Sequence, residues 1–143
     1  MSNVAQVLQE KVENTVFTIR PESSVFEAIS LMAEKGVGAL VVTSQDQVVG
    51  IISERDYTRK VILMERTSKQ TAVSEIMTAK VLTTTKSTSV EECLSLMTER
   101  HLRHLPVLEN ETLIGLISIG DLVKVAMEDQ RKLIDQLQQY IAS

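Results

Sequence analysis

The chain has 143 residues, a mass of 15.9 kDa and a formal net charge of −4. Its hydrophobic content of 43% and charged content of 24% are ordinary for a globular protein and argue against intrinsic disorder. The mild acidic excess, with 3% aromatic residues and no tryptophan, argues against a nucleic-acid partner.

Neither a membrane span nor a disulfide is expected. The apolar runs are far shorter than the roughly 20 residues that cross a bilayer, and no signal peptide is recognised at the N-terminus. The single cysteine, Cys93, excludes an internal disulfide and is compatible with a reducing compartment. We therefore expect a cytoplasmic protein without membrane association.

The predicted elements of the first half run in the order helix, strand, helix, strand, strand, helix. Apolar residues at i, i+3, i+4 and i+7 from Val25 indicate an amphipathic helix, and serines before the helices are suited to N-capping. These elements are an N-terminal helix with Val4, Val7, Leu8 and Val12, a strand at Val16–Ile19, a helix capped by Ser24, strands at Ala39–Thr43 and Val48–Ile52, and a helix beginning at Ser53.

A polar segment at Arg66–Thr71 reads as a linker, and Val73–Met77 predicts one helical turn. The second half then repeats the order of the first. Its elements are a strand at Val81–Thr84, a helix capped by Ser89, strands at His104–Leu108 and Leu113–Ile117, and a helix beginning at Ser118. Beyond this copy, Leu133, Leu137, Tyr140 and Ile141 continue an apolar stripe, which we expect to pack on the domain or on a partner subunit.

The two halves are a duplication. When the sequence is shifted by 65 positions, Val16–Lys60 falls on Val81–Val125 without a gap, and fifteen of the 45 positions are identical. The repeat predicts two β-α-β-β-α units packed face to face with approximate two-fold symmetry. The expected division is residues 1–65 for the N-terminal helix and first repeat, 66–80 for the linker and turn, and 81–143 for the second repeat and C-terminal helix.

The pattern Ser-x-x-Asp recurs at Ser53–Asp56 and Ser118–Asp121, each time after an apolar strand and at the start of a helix. One interpretation is a helix cap, in which the serine accepts a backbone N–H and the acid lies in the first turn. The other is ligand binding, because a carboxylate offers two acceptor oxygens to the vicinal hydroxyls of a ribose. The two roles can alternate.

Basic residues lead into the second strand of the second copy, in the run Arg100-His101-Leu102-Arg103-His104. Arg103 and His104 are suited to phosphate binding, although a solvated helix end explains the run equally well. The first copy has glycines there instead, and Arg55 can supply the missing charge. Arg59 and Lys60 are expected to be solvated.

These motifs together resemble the CBS domain family, and the pair resembles a Bateman module. The resemblance rests on the helices Val25–Met32 and Val90–Met97, the strand Leu102–Val107, and the closing segments Val49–Asp56 and Ile114–Asp121. It implies an α+β fold of tandem repeats with N- and C-terminal helices. It also implies an adenine nucleotide (AMP, ATP or NAD(H)) bound in a cleft between the copies, and a homodimer.

The positions that the resemblance marks for ligand binding lie at the strand ends and closing motifs of both copies, although ordinary core packing explains the apolar ones as well. They are Thr18, Ile19, Val37, Ala39, Ser53, Arg55, Asp56, Thr83, Thr84, Leu102, Arg103, His104, Pro106, Ser118, Ile119 and Asp121.

No enzyme motif is recognised. The chain has no Gly-Lys-Ser/Thr triplet of a P-loop and no complete dinucleotide fingerprint. His101 and His104 have no third partner for a metal, and we expect neither a metal nor a catalytic cofactor. The sequence thus predicts a ligand-sensing regulatory module that acts through an effector protein or oligomer state. The alternative is a scaffold that has kept the fold and binds no nucleotide.

Overall fold

The computed structural model describes residues 1–11 and 15–143, which form two compact units. The repeat-1 unit contains Thr15–Leu82 together with Asn110–Ile114. The repeat-2 unit contains the N-terminal segment through Lys11, followed by Thr83–Glu109 and Gly115–Ser143. Small sheets alternate with helices in both units, so the predicted α+β class, with N- and C-terminal helices, is confirmed.

The repeat-1 unit begins with strand β1 (Thr18–Ile19) and helix α2 (Val25–Lys35). The Ser24 hydroxyl accepts the Glu27 backbone N–H at 3.1 Å, which confirms the predicted N-cap. The helix ends at Gly36, whose φ of 67° lies in the left-handed region, where glycine carries no Cβ penalty. Strand β1 is shorter than the predicted Val16–Ile19, and Val16 and Phe17 lie outside it.

Strands β2 (Ala39–Ser44) and β3 (Gln47–Ser53) pair antiparallel, with Ala39 opposite Ser53. The turn between them places Gln45 and Asp46 at positive φ, as a tight hairpin turn requires. Strand β1 pairs parallel with β2 on its other side and completes a three-stranded sheet. This register sets Ser53 at the end of β3, directly beside the start of β2.

The chain leaves β3 through helix α3 (Glu54–Tyr57) and a π-helical turn, Thr58–Ile62. The segment predicted as a linker is attached to its own repeat, since the Phe26 N–H donates to the Ser68 carbonyl at 2.9 Å and Thr71 is buried. Helix α4 (Val73–Ile76) follows and confirms the predicted helical turn.

Helices and sheet of the repeat-1 unit enclose one core of aliphatic side chains. Burial of each such side chain contributes about 1.5–3 kcal/mol, so this core is the main source of stability for the unit. Its members come from β1, α2, β2, β3, the π-helical turn and α4, and are Ile19, Val25, Ala28, Met32, Leu40, Val42, Ile52, Val61, Val73 and Ile76.

The repeat-2 unit repeats these elements. Helix α5 (Val90–Arg100) is capped by Ser89 and ends at His101, whose φ of 55° matches the position of Gly36. Strands β4 (His104–Glu109) and β5 (Thr112–Ser118) form a two-stranded sheet. The strand predicted at Val81–Thr84 is reduced to a single parallel bridge between Thr84 and Val107. A third strand is therefore only rudimentary in this unit.

Helix α1 (Val4–Glu10) belongs to the repeat-2 unit, whereas chain order groups it with the first repeat. Its Val4 N–H donates to the Thr88 carbonyl at 2.9 Å, and the Val90 N–H donates to the Ser2 carbonyl at 3.1 Å. Val4 and Val7 are fully buried. The predicted Val12 of this helix lies outside the described residues.

Helix α4 fills the corresponding place in the repeat-1 unit. The Val73 N–H donates to the Ser23 carbonyl and the Val25 N–H to the Thr71 carbonyl, both at 2.8 Å. Each unit is thus completed by a short helix that precedes the other repeat in the sequence.

Helix α6 (Ile119–Ala142) is the longest element, with 24 residues. In its first turns, the side chains of Leu122 and Val125 are buried in the repeat-2 unit. Every residue from 131 to 143 is exposed. The predicted packing of the C-terminal stripe on its own domain is therefore wrong, and the partner-subunit alternative stays a prediction. Within the described residues, no helix is long and apolar enough to cross a membrane.

Candidate ligand site

The first Ser-x-x-Asp segment forms a capping box at the start of α3. The Asp56 Oδ2 accepts hydrogen bonds from the Ser53 backbone N–H at 3.0 Å and from its hydroxyl at 3.1 Å, while the Asp56 N–H donates to Ser53 Oγ. The other carboxylate oxygen, Oδ1, lies 3.3 Å from the Lys60 ammonium. Both oxygens of Asp56 are thus engaged within the repeat-1 unit.

The second segment forms the same capping box at the start of α6. Asp121 Oδ2 accepts the Ser118 N–H at 2.8 Å, and the Asp121 N–H donates to Ser118 Oγ at 3.1 Å. The Lys11 ammonium lies 3.1 Å from this same Oδ2 and donates to the Leu116 carbonyl at 2.7 Å. Here the cap and the lysine share one oxygen.

The surroundings of Asp121 favour its charged form. Burial raises the pKa of this carboxyl, but the hydrogen bonds from Ser118 and Lys11 and the charge of Lys11 outweigh that effect. The pKa therefore lies below its ordinary value, and Asp121 is a carboxylate at neutral pH. An ionised acid of this kind accepts hydrogen bonds strongly.

Arg103 and His104 lie next to this capping box through the backbone. The Ile119 N–H, in the first turn of α6, donates to the Arg103 carbonyl at 2.9 Å. The Arg103 side chain is exposed, whereas His104 is partly buried at the start of β4. Burial lowers the pKa of His104, with the positive charges of Lys11 and Arg103 acting in the same direction and Asp121 opposing them. His104 is therefore neutral at neutral pH and offers a ring N–H, not a charge.

The corresponding position of the repeat-1 unit has a glycine. The Glu54 N–H donates to the Gly38 carbonyl at 3.1 Å, in the same geometry as Ile119 and Arg103. A Cβ at Gly38 would lie 3.0 Å from the Glu54 carboxylate, so the absence of a side chain allows this close approach. Arg55 is exposed in α3 and already has an interaction partner. The two units therefore differ in charge at this place.

The apolar positions predicted for ligand binding are largely part of the structural core. Ile19, Ala39 and Pro106 are buried. Thr84 is buried as well, with its hydroxyl 3.6 Å from Cys93 Sγ and its N–H and carbonyl both bonded to β4. The more accessible members of the predicted set are Thr18, Thr83 and Ile119, which are exposed, and Val37 and Leu102, which are half-buried.

Two lysines at the capping boxes were not expected there. Lys60 was predicted to be solvated; instead it contacts Asp56 and donates to the Ile76 carbonyl at 2.9 Å, and the i, i+4 spacing from Asp56 is the signal for this pair. Lys11 has a subtler signal, since Val4, Val7, Leu8 and Lys11 match Val73, Ile76, Met77 and Lys80 when the sequence is shifted by 69 positions. The 65-position shift of the main repeat conceals this match.

The CBS domain model matches residues 5–62 and 73–128, once for each repeat. The chain therefore belongs to the CBS domain family, as a tandem pair. This confirms the resemblance found in the sequence.

Relatives with solved structures share the fold over almost the whole chain. A CBS-domain protein of Burkholderia ambifaria MC40-6 is 55% identical, with a TM-score of 0.86, and the match covers 90% of this chain and 96% of that one.

A relative is also found by sequence. The CBS domain-containing protein CBSX3, mitochondrial, of Arabidopsis thaliana is 41% identical over 125 residues, which are 84% of this chain. The matched region spans 61% of the length of that plant protein.

A more distant fold relative was solved with ligands. The CBS domain pair of protein MJ0100, in complex with 5′-methylthioadenosine and S-adenosyl-L-methionine, has a TM-score of 0.77 at 18% identity. The match covers 90% of this chain and 98% of that pair.

Proposed function

We propose that this chain is a regulatory module that binds an adenine nucleotide and performs no chemistry on it. AMP, ATP and NAD(H) are the candidate ligands. The observation that carries the proposal is the pair of partly buried carboxylates, Asp56 and Asp121, each held in the first turn of a helix by a serine cap and a lysine. Family membership and the adenosine-containing ligands of the MJ0100 pair support the ligand class.

The ribose is assigned to Asp121. Its cap and its lysine both use Oδ2, so we assign the ribose hydroxyls to Oδ1. Asp56, in contrast, uses Oδ2 for the cap and Oδ1 for Lys60, so a ribose there must displace an existing contact. We therefore expect the repeat-2 unit to provide the tighter ribose contact.

The phosphate is assigned to Arg103. Its backbone is bonded to the first turn of α6, and its exposed guanidinium can pair with two phosphate oxygens at once. The neutral His104 can add an N–H donor, and Arg55 is the counterpart in the repeat-1 unit. These assignments rest on the same positions that the sequence predicted.

A bound nucleotide regulates only if it favours one arrangement of the protein over another. The shift in population equals the difference in affinity for the two arrangements. We expect the output to reach an effector protein or to alter the oligomer state, with the protein itself in the cytoplasm as a homodimer.

The test is a thermal melt with AMP, ADP, ATP, NAD, NADH or S-adenosylmethionine, followed by calorimetry with those that stabilise. A ligand at 100 times its dissociation constant stabilises the folded state by about 2.7 kcal/mol. No shift with any of them at millimolar concentration contradicts the proposal. Chromatography after long incubation must return the nucleotide unchanged, and turnover would contradict the absence of catalysis.

Matched variants locate the ribose contact. Asp121→Asn keeps an acceptor oxygen for the Ser118 N–H but removes the charge, and we expect it to weaken binding at least tenfold, because a hydrogen bond to a charged group is worth about 1.5–3 kcal/mol. Asp46→Asn, in the exposed β2–β3 turn, is the control and leaves the affinity unchanged. Equal affinities for both variants would contradict the assignment.

The alternative function is a scaffold that binds no nucleotide. It is favoured by the capping role of both acids, which explains their position without a ligand. For a scaffold, Asp56→Ala and Asp121→Ala lower only the stability, and the wild-type protein does not respond to any nucleotide.

A further inference from the structure

The C-terminal half of α6 has an apolar face that its own chain leaves uncovered. Met127 is 65% exposed, Leu137 53% and Ile141 81%. Residues 131–143 are all exposed, and an isolated helix of this length is marginal in water. Large apolar side chains along such a helix indicate that another surface covers them.

The spacing of this face is a heptad repeat. Met127, Ile134 and Ile141 follow one another at seven-residue intervals and occupy position a. Position d is occupied by Val123, Gln130 and Leu137, which are also seven residues apart. The a and d residues in sequence order are Val123, Met127, Gln130, Ile134, Leu137 and Ile141. Val125, at position f on the opposite side, is buried in the repeat-2 unit, so the helix uses one face for its own core and another for the heptad.

We propose that this face binds the same face of a second copy of the chain, in a parallel two-stranded coiled coil. Two features of the heptad favour this occupant. In parallel coiled coils, isoleucine at position a with leucine at position d favours two strands, and this chain has Ile134 and Ile141 at a and Leu137 at d. Gln130 at position d then meets Gln130 of the second copy, so the two amides can hydrogen-bond and set the register.

The charges next to the heptad favour the parallel orientation. The flanking e positions are Lys124, Arg131 and Gln138, and the g positions are Ala126, Leu133 and Tyr140. In a parallel pair each e residue faces a g residue of the other helix, so the cations meet uncharged side chains. In an antiparallel pair e faces e, which brings the two Arg131 residues together and is unfavourable.

The available area is sufficient for a stable pair. Seven large side chains of α6 expose 40–81% of their surface. Together they expose about 800 Å² per helix, which is the upper limit of the side-chain area they can bury and is comparable to the area that each partner contributes to an interface of standard size. These side chains are Val123, Met127, Leu133, Ile134, Leu137, Tyr140 and Ile141.

Sedimentation of the full chain without nucleotide tests the interface, so its outcome does not depend on the proposed ligand. We expect a dimer whose dissociation constant rises at least tenfold in Leu137→Glu. Gln139→Glu, at position f of the same helix, adds the same charge and leaves the dimer intact. A monomeric wild type, or a dimer that Leu137→Glu leaves unchanged, overturns the proposal. Because Leu137 is outside the core, circular dichroism of the variant should show a folded protein.

Oxidative cross-linking tests the orientation. In a parallel pair, Leu137→Cys places two thiols opposite each other within disulfide range, whereas Gln139→Cys places them on outer surfaces. We expect a covalent dimer from the first variant and little from the second; the native Cys93 is buried. Equal cross-linking of both variants, or none of Leu137→Cys while the dimer persists, overturns the parallel arrangement.

Discussion

At the scale of single residues, the ion pair of Lys11 and Asp121 differs from an ordinary surface pair. Each side chain is only about a quarter exposed, at 25% and 26%, and the ammonium also donates to the Leu116 carbonyl. Exposed pairs contribute little because water and salt screen them. This pair is partly shielded and joins the N-terminal segment to the capping box, so it links two distant parts of the sequence.

Replacement of this lysine should change the response of the protein to acid. The folded-state pKa of Asp121 is below its unfolded value of about 3.9, so the stability it provides is present above that value and is lost as the pH falls through the folded pKa. Lys11→Met raises the folded pKa and shrinks this contribution. Urea unfolding as a function of pH should then show that the variant is less stable than the wild type at neutral pH, and that this difference shrinks as the pH falls through the folded pKa of Asp121 in the wild type.

Lys86→Met is the control for this measurement. Lys86 also contacts an acid, Glu109, at 3.4 Å, but both side chains are about half exposed. We expect the free energy of unfolding of this variant to change with falling pH in the same way as that of the wild type. Coincident curves for Lys11→Met and the wild type would mean that the lysine does not stabilise the carboxylate.

At the scale of elements, each short helix packs on a glycine of the last strand of its unit. A Cβ at Gly115 would lie 2.8 Å from Leu8 Cδ2 of α1, and a Cβ at Gly50 would lie 2.6 Å from the sulfur of Met77. The Gly50 site also meets the Thr78 backbone carbonyl at 3.0 Å. A flexible side-chain end can move, but a backbone carbonyl held in the strand bridge between Ile51 and Thr78 cannot move easily.

Substitution of these glycines should therefore have unequal costs. We expect Gly50→Ala to lower the free energy of unfolding by about 1–3 kcal/mol, the usual range for overpacking. Gly115→Ala should cost less, and Leu8→Ala should relieve that cost in the double variant. Chemical denaturation of the wild type, the two glycine variants, Leu8→Ala and the double variant measures these values; a larger cost at Gly115 would contradict the role of the Thr78 carbonyl.

Helix α1 should stabilise the second repeat, not the first. Val4 and Val7 are buried in the repeat-2 unit, and Ser2 hydrogen-bonds to Asp129 of α6 through its hydroxyl at 2.8 Å. Deletion of residues 1–10 should therefore increase amide hydrogen exchange in α5 more than in α2. Equal loss of protection in α2 and α5 would contradict this assignment.

The sequence predicts much of the local structure, because the signals are local. The serine caps, the amphipathic helices and the two hairpins follow from spacing within a few residues. The association of α1 with the second repeat is not predictable in that way, since its contacts join residues as far apart as Ser2 and Asp129. The strand at Val81–Thr84 was predicted from composition, yet only Thr84 forms a bridge, because strand pairing depends on the neighbouring strand.

At the scale of the whole molecule, the repeat is symmetric in sequence but not in its candidate site. Ser53–Asp56 and Ser118–Asp121 are identical in pattern, but the basic run beside the second motif, with glycines at the same place in the first copy, predicts unequal sites. The lysines distinguish them, since Lys60 takes the second oxygen of Asp56 while Lys11 shares one oxygen of Asp121 with the cap. Which oxygen each lysine contacts is a matter of tertiary geometry and leaves no trace in the motif.

This asymmetry predicts one tight nucleotide per chain. Calorimetric titration should give a stoichiometry near one at low ligand concentration, because only Asp121 is assigned an oxygen that needs no displacement. Lys60→Met should increase the affinity for a second, more weakly bound nucleotide, since it releases Asp56 Oδ1. Two nucleotides bound with equal affinity by the wild type would contradict the difference between the units.

The place of the first helix also bears on how the chain matures during synthesis. Helix α1 is synthesised before its partners in α5 and α6, whereas Thr15–Leu82 contains nearly all of its unit in one continuous stretch. Domains generally fold as they emerge from the ribosome. Most of the repeat-1 unit can thus fold once Leu82 has left the ribosome, whereas the contacts that bury Val4 and Val7 can form only after α5 and α6 have been made.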